Sequence, residues 1–234
     1  MALPRLDTPQ YDLTLYNGEN IKFRPFLVKE QKLLLLAVEE QEQKHVMNAM
    51  KQIISNCIFD QVDVNTLPIF EIENIFLRLR EKSVGEQIDL RLVCTDEECK
   101  GQTPYTLDLT QIKYDMDSIP SRTIKISENV NLNMRFPTMS NLEDVTNLEN
   151  VEDNFKFLAS CIESIEADGN IYDVDTTPKE EIQAFIESMT TSQFNMLKNF
   201  FTTLPRLSKD LEYTCSKCGK EQKRVISGIQ SFLA

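Results

Sequence analysis

The chain has no tryptophan, a single histidine, His45, and only 6 glycines among 234 residues. One imidazole leaves His-based triads and histidine-rich metal catalysis with almost nothing to use. Neither a Gly-rich phosphate loop nor a nucleophile elbow can be read anywhere along the sequence. Long apolar runs are missing as well: the longest, Leu33 to Val38, is far short of the ~20 residues that span a bilayer. Met1 to Gln10 lacks the apolar stretch of a signal peptide. These deficits predict a soluble, intracellular protein that is not an enzyme, takes no small-molecule substrate and enters no membrane. Cations are the minority charge, 25 Lys and Arg against 37 Asp and Glu, for a net charge of −12. A field of that sign repels phosphates and acidic lipid headgroups, so wholesale nucleic-acid or membrane-surface binding is disfavoured.

The rest of the composition is globular, with 41% hydrophobic and 26% charged residues, and the length admits one large domain or two small ones. The order of residues argues for two. Asp63 to Ile75 aligns without gaps on Asp173 to Phe185, with six of thirteen positions identical. Upstream, Glu19-Asn20-Ile21 matches Glu128-Asn129-Val130, and each is followed by an Arg/Phe/Pro cluster around Arg24 or Arg135. Cys57-Ile58 matches Cys161-Ile162, and the Cys94/Cys99 pair matches Cys215/Cys218. Landmarks in one order with drifting offsets are what duplication followed by loop insertion and deletion leaves. The expected division is therefore a first repeat lobe over 1–115 and a second over 121–234, with Pro120 and Ser121 interrupting the pattern between them.

Each copy reads as β-hairpin, helices, then strand, knuckle, strand, so the fold class is α+β with helices grouped apart from antiparallel strands. In the first copy Tyr11 to Tyr16 alternates, Asn17-Gly18 marks a turn, and Ile21 to Arg24 returns. Helical spacing follows over Val28 to Glu42 and Lys44 to Ile58, with Ala37, Val38, Val46, Met50, Ile53 and Ile54 facing inward. A third helix begins at Pro68 and breaks at Ser83-Val84-Gly85. The second copy predicts strands over Thr123 to Ile126 and Val130 to Arg135 and a helix from Phe155 to Ile165. Next come a helix opened by a capping box at Thr177-Pro178-Lys179-Glu180, an added helix around Phe194 to Phe201, and a last strand at Arg224 to Ser227.

Cys94-x4-Cys99 and Cys215-x2-Cys218 each sit where a strand turns back. Two such turns supply the four soft ligands of a tetrahedral structural zinc, and four cysteines leave no open position for catalytic water. Under the duplication reading the two knuckles meet and share one metal, which makes Cys94, Cys99, Cys215 and Cys218 the candidate ligands. Lys100, Lys217, Lys220 and Lys223 would offset the charge of the thiolates. The same spacings also fit free thiols, disulfides within each pair, or iron in place of zinc. Cys57 and Cys161 read as small core hydrophobes and His45 as solvated. Asp60, Asp63, Asp173 and Asp175 read as loop caps, because neither loop has the calcium-binding pattern.

Lys22-Phe23-Arg24-Pro25-Phe26-Leu27-Val28-Lys29-Glu30 after the opening hairpin, Ser83-Val84-Gly85-Glu86 before the first knuckle strand, and the late Cys-x2-Cys are the carriers of a likeness. In them the chain resembles the tail baseplate hub subunit family of T4-like contractile-tailed phages. The resemblance implies assembly or construction of the central hub, with other hub and tail proteins as partners. It implies a place in the host cytoplasm during assembly and in the virion tail baseplate, and brings no catalytic residues. The rival reading is a zinc-ribbon nucleic-acid-binding or transcription-associated protein, supported by the basic run Arg206, Lys209, Lys217, Lys220, Lys223 and Arg224. The net charge of −12 opposes it.

Overall fold

In the computed structural model, which describes residues 6–40, 43–112, 119–143 and 150–232, alternation and turn chemistry open the chain. β1 (Tyr11–Thr14) and β2 (Asn20–Phe23) pair antiparallel, Tyr11 opposite Phe23 and Thr14 opposite Asn20. Gly18 takes φ of 84° in the connecting turn, a conformation glycine reaches without a Cβ penalty. Ile21 and Phe23 lie two apart, share a face of β2 and are buried.

Three helices follow: α1 (Val28–Glu39), α2 (Gln43–Cys57) and α3 (Ile69–Ser83). The sequence places α1 and α2 closely, and Ala37, Val46, Met50, Ile53 and Ile54 are buried. Val38 is not; it stays 43% exposed because it lies on the outer side of α1. Ile72, Ile75, Phe76 and Leu79, at helical spacing along α3, have no exposed surface. The helix stops where the Ser83 hydroxyl turns back to the Leu79 carbonyl and Gly85 takes φ of 132°. Antiparallel strands β3 (Gln87–Val93) and β4 (Gln102–Asp108) then run into a 3-10 turn at Leu109–Gln111.

The second half opens with another antiparallel strand pair. β5 (Thr123–Lys125) and β6 (Val130–Met134) lead into a short α4 (Met139–Glu143) and α5 (Val151–Ser160). The expected helix from Phe155 to Ile165 is corrected here, since α5 ends at Ser160 and Ile162 onward is strand. β7 (Ile162–Ala167) and β8 (Asn170–Asp173) extend β5 and β6 into an antiparallel sheet of order β5-β6-β7-β8. Pairing with β6 buries Ile162 and Ile165, and the Asp168-Gly169 turn, both residues at positive φ, joins the two strands.

α6 (Lys179–Glu187) begins directly after Pro178, as α3 does after Pro68. Its expected capping box is absent: Pro178 is the N-cap without a side-chain bond, and the Thr177 hydroxyl donates to the Asp173 carbonyl at 2.7 Å. The added helix is α7 (Thr191–Thr202), and β9 (Ser208–Thr214) and β10 (Glu221–Ser227) form the last hairpin before a 3-10 turn at Ile229–Phe232.

The compact units are not the two repeat segments. One comprises 1–64, 70–114 and 206–234, and the other 65–69 and 115–205. The β9–β10 hairpin folds within the first unit, where Leu211, Ile229 and Phe232 are buried and the Ile229 N–H reaches Glu73 Oε1 at 3.4 Å. Apolar burial and a hydrogen bond thus anchor the tail far from its sequence neighbours. The second unit has its own core of Leu132, Met134, Leu158, Ile162, Leu197 and Phe200, among others.

Candidate metal centre

Both knuckles lie in the first unit, each built by the hairpin that carries it. Strand pairing brings Val93 opposite Gln102 and Thr214 opposite Glu221, and the next bond up closes the loop at the first cysteine. The Cys94 N–H donates to the Gly101 carbonyl at 2.8 Å, and the Cys215 N–H to the Lys220 carbonyl at 2.9 Å. The residue after the second cysteine turns the chain left-handed in both, Lys100 at φ 46° and Gly219 at φ 71°. Glycine serves that turn in one knuckle only. Gly101 has a different task, described below.

The structure brings all four predicted residues together. The sulfurs of Cys94, Cys99, Cys215 and Cys218 lie within 4.8 Å of one another, and the four could bind a metal. Cys94 Sγ is 3.8 Å from Cys218 Sγ, and Cys99 Sγ is 3.8 Å from Cys215 Sγ. A regular tetrahedron with metal–sulfur bonds of about 2.3 Å has an edge of roughly 3.8 Å. Both of these sulfur contacts cross from one hairpin to the other, and all six cysteines carry free thiols.

Backbone N–H groups aim at the sulfurs, as metal-holding knuckles require. Cys215 is held down to about 6 by the N–H groups of Cys218 and Lys217, so it is the thiol most ready to present a thiolate at neutral pH. Cys94 receives the Asp96 N–H, yet burial and its thiol neighbours push it up to about 12. Cys99 receives the Gly101 N–H and is likewise raised by burial and neighbouring thiols. A divalent cation would reverse that mutual penalty, because it stabilises several thiolates at once.

Around the sulfurs the hairpins are laced by polar contacts. Tyr213 donates its hydroxyl to the Val93 carbonyl at 3.0 Å, and the Ser216 N–H donates to Thr103 Oγ1 at 3.0 Å. Gln222, only 7% exposed, accepts the Thr95 N–H at 3.1 Å and the Thr95 hydroxyl as well. The lysines do less for the sulfurs than their positions in the sequence imply. Lys220 pairs with Asp96, Lys223 with Glu212 at 2.6 Å, and Lys217 donates to the Cys99 carbonyl at 2.7 Å.

Sequence reasoning missed the parts that Thr95, Tyr213 and Gln222 play here, and the close approach at Gly101. The glycine was visible, but its task is close approach: a Cβ there would lie 3.1 Å from Cys215 Sγ and 3.2 Å from Cys99 Sγ. No local pattern announces such a contact across more than a hundred residues.

The remaining candidates stand apart from the cluster. Burial pushes the Cys57 thiol up to about 11 and the Cys161 thiol up to about 12, which suits core packing. His45 is exposed and paired with Glu40. Asp60 accepts the Lys22 N–H at 2.5 Å, Asp173 the Asp175 N–H at 2.8 Å, and Asp175 pairs with Arg135 at 3.0 Å, so these carboxylates order loops. None of the helices among the described residues is long and apolar enough to cross a membrane.

Residues 8–234 match the model of a family described as T4 bacteriophage base plate protein. A curated relative, the baseplate hub assembly protein gp26 of Enterobacteria phage T4, is 22% identical over 213 residues, 91% of either chain. No solved structure matches.

Proposed function

The chain belongs to the T4 bacteriophage base plate protein family, and on that premise we propose that it is a non-enzymatic subunit or assembly factor of a phage tail baseplate hub. It acts through contacts with other hub and tail proteins, in the host cytoplasm during assembly and at the virion tail baseplate. The observation that carries this reading is the similarity to a hub assembly protein along 91% of both chains. The net charge of −12 supports protein contacts over phosphate binding.

The finer reading is that Cys94, Cys99, Cys215 and Cys218 hold one structural zinc. It rests on four sulfurs within 4.8 Å of one another, two of the pairs at the 3.8 Å edge of a tetrahedral site, with backbone N–H groups aimed at them. Such a metal would fix the β9–β10 hairpin to β3–β4 and with it the surface offered to hub partners.

Descent by internal duplication also belongs to this reading. At the end of the first strand pair the Arg24 N–H donates to the Cys57 carbonyl at 3.0 Å, and the Arg135 N–H to the Cys161 carbonyl at 2.8 Å. Residues matched by sequence alone make the same backbone bond. The last hairpin of the second copy then folds with the first unit.

The test is complementation of a phage lacking this protein, scored by assembled tails and by copurification of the tagged chain with them. Normal tails without the protein would reject the assembly role.

A further inference from the structure

α1 turns an apolar face to solvent. Leu34 and Ala37 are only 8% and 7% exposed, whereas Val28, Leu35, Leu36 and Val38 remain 80%, 57%, 50% and 43% exposed. At 100° per residue Val28, Lys32, Leu35 and Glu39 fall along one line of the helix, with Leu36 and Val38 on either side. Exposed apolar residues gathered on one face and edged by charge mark an interaction site.

The order of the charges says what fits. Lys29 and Lys32 stand toward the N-terminal end, and Glu39 and Glu40 stand at the other. A partner surface of one sign would meet one end favourably and the other unfavourably. An antiparallel second α1 meets both ends favourably. Lys32 and Glu39 are two turns apart, about 10 Å, and Leu35 and Leu36 lie midway. A two-fold axis between those leucines sets each Lys32 opposite Glu39 of the second copy and each Leu35 against Leu36, the self-complementary geometry of an isologous interface.

We propose that the outer face of α1 is a homodimerisation surface on which a second copy of this chain packs antiparallel, Leu35 and Leu36 at the axis and Lys32–Glu39 pairs at the rim. One helix face is small beside a standard interface of about 1,600 Å², so the dimer is weak and forms with rising concentration. The net charge of −12 on each copy opposes it at long range. At physiological ionic strength that repulsion is screened beyond about 8 Å, while contact pairs are screened less.

Sedimentation velocity on the intact chain in physiological salt, from about 1 to 200 μM, tests the idea across the range expected of a weak interface. The mean mass should climb from 27.1 kDa toward twice that value. Leu35→Glu, which sets like charges together at the axis, should stay monomeric throughout. Lys32→Glu and Glu39→Lys should each lose most of the association, and the double variant should recover it to within a few-fold of the parent. Recovery is specific to self-pairing, since a different protein seated on this face would not be restored by exchanging the two charges. A parent chain monomeric over the whole range overturns the proposal. So does a dimer indifferent to Leu35→Glu, or a double variant that keeps the parent's circular dichroism and fails to reassociate.

Discussion

Gly101 stands so close to Lys217 that a Cβ placed on it would lie 2.7 Å from the lysine's Cβ. Real Cβ atoms do not approach so closely, so any side chain at this position pushes one hairpin away from the other. Gly101→Ala is expected to destabilise the chain by about 1–3 kcal/mol, as other overpacked sites do, and to raise the reactivity of Cys99 and Cys215 toward a thiol reagent. Gly219→Ala is the contrast. It meets nothing within 4 Å but must hold φ of 71°, so it should cost about 1–2 kcal/mol from backbone strain and leave the sulfur spacing intact. Thermal melts beside thiol titration separate the two, and equal thiol reactivity in both variants would show that Gly101 does not govern the approach.

Cys94 and Cys218 face each other from different hairpins, and so do Cys99 and Cys215. We expect elemental analysis to find one zinc per chain and a chelator to expose four further titratable thiols as the metal leaves. Cys215→Ser with Cys218→Ser should carry no zinc. Structural zinc contributes roughly 10 kcal/mol or more of apparent binding free energy to the ordered state, so in this variant the two hairpins should separate. The helices, with apolar faces of their own, should keep most of their far-ultraviolet signal, and complementation should fail. A metal-free parent that is fully folded with four reactive thiols at these positions would remove zinc from the account.

Glu30 is 1% exposed and caps the start of α1, its carboxylate accepting the Leu27 N–H at 2.8 Å and pairing with Arg24 at 3.2 Å. Burial works against its charge, but the Leu27 N–H, Arg24 and Lys29 together hold its carboxyl below the usual carboxylate range. A depressed folded value means that the stabilisation is complete above the unfolded value of about 4.5 and is lost as pH falls through the folded one. Glu30→Gln should therefore cost about 1.5–3 kcal/mol at neutral pH, the range for hydrogen bonds to a charged group. The gap between variant and parent should narrow below about pH 4.5. Denaturant titrations at pH 7 and pH 3 measure it, and a gap that widens in acid would contradict the sign.

Much of this architecture is local enough to read from residues. The Asn17-Gly18 turn, the helical spacing of α1 to α3 and the strands entering both cysteine pairs follow from period and turn chemistry. The β7–β8 hairpin was legible as well, in the Asp168-Gly169 pair, but the apolar residues from Phe155 to Ile165 fit a helical period and hid it. Val38 lies outside the core because a 12-residue helix at the surface buries a single stripe, and periodicity alone does not say how wide that stripe is. Tertiary choices were out of reach. Nothing near Leu211 or Phe232 in sequence states that they are buried in the unit that holds Glu73.

The two threonines before α6 and α7 show the same limit at the scale of one helical turn. Thr177 heads a Thr-Pro-Lys-Glu stretch with the spacing of a capping box, yet its hydroxyl serves the Asp173 carbonyl. Thr190 forms the box instead: its hydroxyl accepts the Gln193 N–H at 3.3 Å, and Gln193 Oε1 accepts the Thr190 N–H at 2.9 Å. Pro178 explains the difference, because it takes the N-cap position itself with extended ψ of 135° and moves Thr177 one residue out of reach of the free amides. An alanine at an N-cap costs about 1 kcal/mol, so Thr190→Ala should lower stability by that much through the N-terminal turn of α7. Thr177→Ala loses one exposed loop bond and should cost less, about 0.5 kcal/mol. Hydrogen exchange should show the first amides of α7 losing protection in Thr190→Ala, with those of α6 unchanged in Thr177→Ala. A larger loss from Thr177→Ala would return the capping role to the position that the sequence pattern favours.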